Sequence, residues 1–273
     1  METKQTRASY SRLKKLKIAP AMVLVETESS PAMELGTALH SFVLQPEKFR
    51  EEYHVVDDTK IIAEIGGKNP RATSKYKEWL QEQPNDKKLL KLAEIDYFEY
   101  VKKQLEKNRF FNYIMKGAIL EEKIIFNYKI NDNISLECST IPDIVNVGKK
   151  VVIELKTCQS ASKSAFQKDC AKFDYHIQGA MYIQACKEKY GDGDWTFMFL
   201  AVETTDPYLF QFFECDEQFV SIGKHDTEML LLLWHDCLEN GFNRGYEVFC
   251  ENPMKVEKLS LPAWKTFENI NFF

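Results

Sequence analysis

The chain has 273 residues, 44% of them hydrophobic and 28% charged, with a formal net charge of −5. That composition describes a globular chain with apolar side chains enough for one large domain or two small ones, and it excludes a low-complexity polymer. The acidic balance excludes a polybasic surface that binds nucleic acid by charge alone, but leaves room for a local basic groove. No apolar run reaches the ~20 residues of a membrane helix, and the polar start lacks the h-region of a secretory signal. The seven cysteines are scattered and form no Cys-x-x-Cys pair, which points to reduced thiols in a cytoplasmic protein.

Ser9 and Ser11 are candidate hydroxyl caps for a short basic helix through Leu16, expected to end at Pro20. Ser30 and Pro31 open a stronger helix with Leu35, Ala38, Leu39, Phe42 and Val43 on its apolar face. His40 lies on the flank of that face, where a histidine satisfied by solvent or a carbonyl is the ordinary reading. Residues 66–71, Gly-Gly-Lys-Asn-Pro-Arg, read as a mobile basic loop before a helix over 74–82. Arg71 and Lys75 are candidate phosphate contacts there, or simply solvated charges. One or two packing helices are expected over 86–115. Alternation of Ile124, Phe126 and Tyr128 predicts a strand, Asn131-Asp132-Asn133 a turn, and 134–144 the next strand. A helix over 173–186 presents Gln178 and Tyr182 at i, i+4. Strands at 195–202 and 209–214, a long helix over 216–242 and an anchored tail through Leu261-Pro262-Ala263-Trp264 complete the chain. The order fits an α/β core with a mixed sheet and a helical N-terminal elaboration.

The most informative stretch is 141–156. Two β-branched runs flank Gly148-Lys149, which reads as a two-residue hairpin loop with Gly in the first turn position. That loop sets Asp143 opposite Glu154, with opposed Cβ atoms ~4.5–5.5 Å apart; a three-residue loop would shift the pairing by one. Lys156 shares a face with Glu154. Two close carboxylates repel and raise each other's pKa unless a cation lies between them. Hard oxygen ligands so placed suit Mg²⁺ or Mn²⁺, and a neighbouring lysine can orient or deprotonate an attacking water. An exposed Glu-Lys pair on an edge strand is the alternative.

Pro142-Asp143, ten residues, then Glu154-x-Lys156 resembles the motif of the PD-(D/E)xK (restriction-endonuclease-like) nuclease superfamily. Further pieces are similar to RecE-like exonucleases, the group of exodeoxyribonuclease VIII and its phage relatives, related to lambda exonuclease. They are Ser9-x-Ser11-x-Leu13-Lys14, Gly36-Thr37-Ala38-x-His40, Glu122, Glu154-x-Lys156-Thr157 and Tyr175-x-x-Gln178-x-x-x-Tyr182. The resemblance implies that Asp143, Glu154 and the Leu155 carbonyl hold the metal, with His40 as a further ligand or neighbour. It implies that Lys156 serves the water, that Gln178 and Tyr182 orient that lysine and contact DNA, and that Glu122 is the acid of the first core strand, with Glu121 an equal alternative.

The implied activity is a Mg²⁺- or Mn²⁺-dependent 5′–3′ exonuclease on linear double-stranded DNA, exposing 3′ single strands for recombination. The implied partners are a single-strand annealing protein and further copies of the chain in a ring. One nuclease domain spans 1–273 in this reading, with 1–116 as the helical elaboration and 117–273 as core, C-terminal helix and tail. No Gly-x-x-x-x-Gly-Lys-Ser/Thr string is present for an ATP motor. Competing readings are a structure-specific or restriction-like endonuclease of the same fold and a non-catalytic DNA-binding relative. The iron–sulfur nucleases of CRISPR systems carry a cluster cysteine ahead of the core, whereas the first cysteine here is Cys138.

Overall fold

The computed structural model describes residues 7–84, 86–250, 256 and 259–261. Helix α1 (Tyr10–Leu16) buries Leu13 and Leu16. In α2 (Pro31–Leu44) the Ser30 side chain accepts the N–H of Met33 and Pro31 takes the first position, where its missing N–H leaves nothing unpaired. Then come α3 (Pro46–Glu52), β1 (Tyr53–Val56), α4 (Thr59–Ile65), α5 (Ser74–Gln81) and β2 (Lys88–Lys91). The helical stretch expected from residue 86 therefore begins as a strand: β2 pairs in parallel with β1, a partner that no local pattern announces. Helices α6 (Leu92–Lys107) and α7 (Arg109–Met115) follow, with Phe98, Val101 and Leu105 fully buried.

The core continues with β3 (Ile119–Leu120), β4 (Ile124–Lys129), β5 (Ser135–Thr140), β6 (Ile144–Asn146), β7 (Val151–Cys158), α8 (Lys163–Lys172), α9 (Tyr175–Tyr190), β8 (Thr196–Glu203), β9 (Phe210–Glu214) and α10 (Glu217–Asn240). Five strands form a mixed sheet in the order β3-β6-β7-β8-β9. Within that sheet only β7 and β8 pair in parallel, joined by the α8–α9 crossover. The strand expected over 134–144 is two: β5 pairs with β4 in a separate hairpin, and β6 joins the main sheet. Pro142, which has no N–H to give to a ladder, stands between them.

β7 and β8 read as near-continuous apolar runs because both sheet faces are covered. Val152, Phe197, Phe199 and Ala201 pack on one side with α1, α9, α10 and the β4–β5 hairpin. Ile153, Leu155, Met198 and Leu200 pack on the other with α2, α6 and α7. The N-terminal helices thus form one layer over the sheet, and this is what brings α2 to the strand pair β6–β7. On the opposite layer α9 lies very close. A Cβ at Gly179 would sit 2.7 Å from the Phe197 ring, and one at Gly223 of α10 only 2.1 Å from the His176 carbonyl oxygen. Leu259 and Leu261 are exposed rather than anchored, and Pro262, Ala263 and Trp264 lie outside the described residues. Among the described residues, no helix is long and apolar enough to cross a membrane.

Candidate active site

The β6–β7 hairpin pairs Ile144 with Ile153, Val145 with Val152 and Asn146 with Val151; the same register sets Asp143 across from Glu154. The turn differs from the two-residue loop expected at Gly148-Lys149. Val147–Lys149 form a 3-10 turn, and the left-handed residue is Lys150, at φ 53°. The Asn146 side chain accepts the N–H of Lys149 and donates to the carbonyls of Ile114 and Lys116. A four-residue loop closes on the same pairs as a two-residue one, so the register is kept.

Around that pair the chain collects five other polar side chains, those of Lys156, Gln178, Tyr182, His40 and Glu121. Asp143 is 4% exposed and Glu154 5% exposed. The N–H of Leu155 donates to Asp143 Oδ2 at 2.6 Å. Glu154 Oε1 accepts from Lys156 Nζ and from Gln178 Nε2, both at 2.7 Å. Gln178 also reaches the Tyr182 hydroxyl at 2.9 Å, which donates to the Ile141 carbonyl at 3.3 Å. His40, carried by α2, places Nδ1 3.4 Å from Asp143 Oδ2 and 3.9 Å from Glu121 Oε1. Glu121 has a left-handed backbone, φ 51°, held by its N–H donating to the Asp143 carbonyl at 3.1 Å. A non-glycine residue there is strained unless its surroundings hold it.

The electrostatics are those of a site short of positive charge. Burial and the neighbouring Asp143 raise the Glu154 pKa, against the pull of Lys156 and His40. Burial and Asp143 likewise push Glu121 up to about 7, with His40 opposing. For His40, burial works against the proton, but the Asp143 carboxylate beside it and Glu154 behind carry the imidazole up to about 9. Burial also opposes the Lys156 charge, and Glu154 chiefly outweighs it, so Lys156 is held as an ammonium above its ordinary value. Glu154 Oε2 and Gln178 Oε1 are buried with no hydrogen-bond partner. An orphaned buried carboxylate oxygen is expensive. One ligand atom each from His40, Glu121 and Asp143 lies within 4.8 Å of the others, a donor set of carboxylates and one imidazole that fits Mn²⁺ or Mg²⁺.

Three of the sequence expectations fall elsewhere. Glu122, one of the two alternatives for the acid of the first core strand, lies away from the cluster: its carboxylate pairs with Lys189 Nζ at 2.7 Å and accepts from the Tyr190 hydroxyl at the end of α9. The left-handed turn at Glu121 sends the two side chains apart, and Glu121 is the one that enters the cluster. Arg71 lies 2.8 Å from the buried Asp58, which also accepts from the Tyr76 hydroxyl. Arg71, at the end of the 66–71 segment, is therefore tied to the neighbouring helices rather than loose. Lys75 pairs with Glu64 at 2.6 Å, and neither Arg71 nor Lys75 lines the cleft over the cluster.

Asp58 gives a stability prediction. Burial alone would raise its pKa, but hydrogen bonds from Arg71 and Tyr76 and the Arg71 charge bring it below the ordinary value. A depressed folded pKa contributes stability above the unfolded value and loses it as pH falls through the folded one. Asp58→Asn should cost about 1–3 kcal/mol at pH 7, discounted for the exposure of Arg71. In urea melts the gap from the parent protein should shrink below about pH 4; a gap that stays constant down to pH 2 counts against the ion pair.

The cleft above the cluster, about 670 Å³, also presents Tyr10, Lys14, Phe173 and Tyr175; Lys14 and Tyr175 stand in the motifs quoted above without a role of their own, and Tyr10 and Phe173 in none. The available signal was Tyr10 and Lys14 at i, i+4 on one basic helix.

Residues 9–252 match the family described as a PDDEXK-like domain of unknown function (DUF3799), and the chain belongs to that family. The fold is accordingly the α/β PD-(D/E)xK type, a mixed sheet flanked by helices. A crystal structure described as a "Putative exonuclease" from Eubacterium rectale superposes with a TM-score of 0.62, covering 96% of this chain and 92% of that one at 13% identity; at that identity it shares the fold. A second solved structure, SSO0001, covers 90% of this chain and 96% of its own at 14% identity with a TM-score of 0.29, too low to support an argument. No curated protein matches the sequence.

Proposed function

We propose that the chain is a metal-dependent exodeoxyribonuclease of the RecE-like kind, degrading linear duplex DNA 5′ to 3′ and exposing a 3′ strand for recombination. The observation that carries the nuclease reading is the buried, partnerless Glu154 Oε2, on a carboxylate that also accepts from Lys156 and lies beside Asp143, His40 and Glu121. His40, Glu121, Asp143 and Glu154 would hold the divalent ion, with the Leu155 carbonyl beside them. A bound Mg²⁺ or Mn²⁺ supplies Lewis-acid polarisation of the scissile phosphate and a water of lowered pKa.

The chain's own groups do the rest. Gln178, steadied by the Tyr182 hydroxyl, fixes the rotamer of Glu154. Glu154 in turn holds Lys156 at the cleft floor as a fully charged donor, where an ammonium can orient the attacking water and offset charge on the phosphoryl oxygens. Family and fold support hydrolysis of nucleic acid. The strand polarity, the ring of copies, the annealing partner, the cytoplasmic setting and the single nuclease domain over 1–273 belong to the same proposal.

Linear duplex labelled at either the 5′ or the 3′ end, alongside a closed circle, tests it. Mg²⁺ should release 5′-terminal nucleotides from the linear form and leave the circle intact. Cutting of the circle would replace the exonuclease with an endonuclease, and no cleavage of any form in Mg²⁺ or Mn²⁺ would end the enzymatic reading.

A further inference from the structure

One wall of the cleft is built differently from its floor. Lys14 Nζ lies 5.0 Å from the centroid of the Phe173 ring and 5.9 Å from that of Tyr10. Lys156 Nζ lies 5.0 Å from the centroid of Tyr175, and the Phe173 and Tyr175 rings stack at 5.6 Å and 29°. The wall is anchored, because the Tyr10 hydroxyl donates to the Phe173 carbonyl at 2.5 Å and so ties α1 to the junction before α9. Among the described residues Lys14 has neither an ion-pair nor a hydrogen-bond partner. The one acidic group of note nearby, Asp174, is taken by Lys17 at 2.6 Å.

We propose that Lys14, backed by the Tyr10, Phe173 and Tyr175 rings, holds a backbone phosphate of a single nucleic-acid strand entering the cleft, so that the substrate presented to the carboxylates is an unpaired end. The inference rests on the nuclease reading of the neighbouring cluster and adds the form of the substrate. A groove that alternates cations with half-exposed rings is the arrangement that takes single strands, phosphates on the cations and base faces on the rings. Duplex phosphates are met by cations, hydroxyls, amides and backbone N–H groups and make no use of ring faces. A lysine held over a ring keeps its charge available, whereas one in a salt bridge must first give up its carboxylate. Burial and the nearby Lys156 ammonium lower the Lys14 pKa, with Asp174 opposing, so a phosphate entering the cleft supplies the counter-charge this wall lacks.

The test is fluorescence anisotropy of a labelled oligothymidylate and of a blunt duplex, in EDTA, over a series of salt concentrations. Lys14→Gln keeps much of the apolar stem over the rings and should fold with an unchanged Tm. Its single-strand affinity should fall roughly tenfold, and its log–log salt slope should shrink by ~0.7, the share of one phosphate. Lys14→Arg should restore the slope, and Lys75→Ala, outside the cleft, should leave it untouched. A Lys14→Gln protein that binds the single strand with parental affinity and slope overturns the inference, as does a loss seen only with the blunt duplex. Cleavage of end-labelled duplex by the parent protein is scored separately. Cleavage with normal Lys14→Gln binding sinks this inference alone, and a parent protein that neither cleaves nor binds sinks both.

Discussion

Glu154→Gln and Asp143→Ala should each reduce metal-dependent cleavage on the order of 10³-fold or more, and Glu154→Gln should melt at a higher temperature than the parent protein in EDTA. The loss of turnover follows from removing a carboxylate from a site whose buried acids are few and mutually dependent. The gain in stability follows from the direction of the Glu154 pKa. Burial and the Asp143 charge make folded Glu154 hold its proton more tightly than the unfolded chain does. Ionising it near neutral pH therefore works against folding, and Gln has the same shape without the charge. The hydrogen bond from Gln178 can be re-formed with the new amide oxygen. Lys156 loses its nearest carboxylate but keeps the attraction of Asp143. Cleavage assays beside thermal melts in EDTA read both halves. Near-parental turnover in either variant would mean that the hairpin is not the reaction centre, and a sharp drop in Tm for Glu154→Gln would make Glu154 a structural residue.

Much of this was legible because it is local. Asp143, Glu154 and Lys156 lie within one hairpin, so period-2 alternation and a turn of even length place them together without knowledge of the rest. Gln178 and Tyr182 are legible as a pair from helical spacing, though nothing in α9 itself says that they face Glu154; the close seat of Gly179 on Phe197 does that. The misses are of another kind. β1 and β2 are four residues each, too short for alternation to show, and they exist because each pairs with the other across an intervening helical segment. β5 and β6 look like one strand in the sequence because an apolar alternating run does not reveal a change of sheet, although Pro142 marks the place. Arg71 and Lys75 read as free basic charges because the acids that engage them, Asp58 and Glu64, come earlier in a weakly patterned stretch. The choice between Glu121 and Glu122 depends on a backbone angle that neither side chain encodes.

That choice can be settled by Mn²⁺ binding. Glu121→Gln and His40→Ala should each weaken Mn²⁺ affinity at least ~10–100-fold, the range seen when even the supports of metal ligands are removed. Turnover should fall with it and return in part at high Mn²⁺. Glu122→Gln should change neither, because its carboxylate is committed to Lys189 and Tyr190 on the protein surface. Imidazole suits Mn²⁺ better than it suits Mg²⁺, so the parent's preference for Mn²⁺ should narrow in His40→Ala and persist in Glu121→Gln. The two variants thus lose affinity in ways that differ between the metals, which a shared loss of folded protein would not produce. Isothermal titration with each ion, beside melts in EDTA, supplies the measurements. If Glu122→Gln weakens Mn²⁺ as much as Glu121→Gln does, the left-handed turn at Glu121 has been given the wrong significance. If His40→Ala and Glu121→Gln keep parental affinity while their melting points fall, the cluster is a packing network and the ion is held by Asp143 and Glu154 alone.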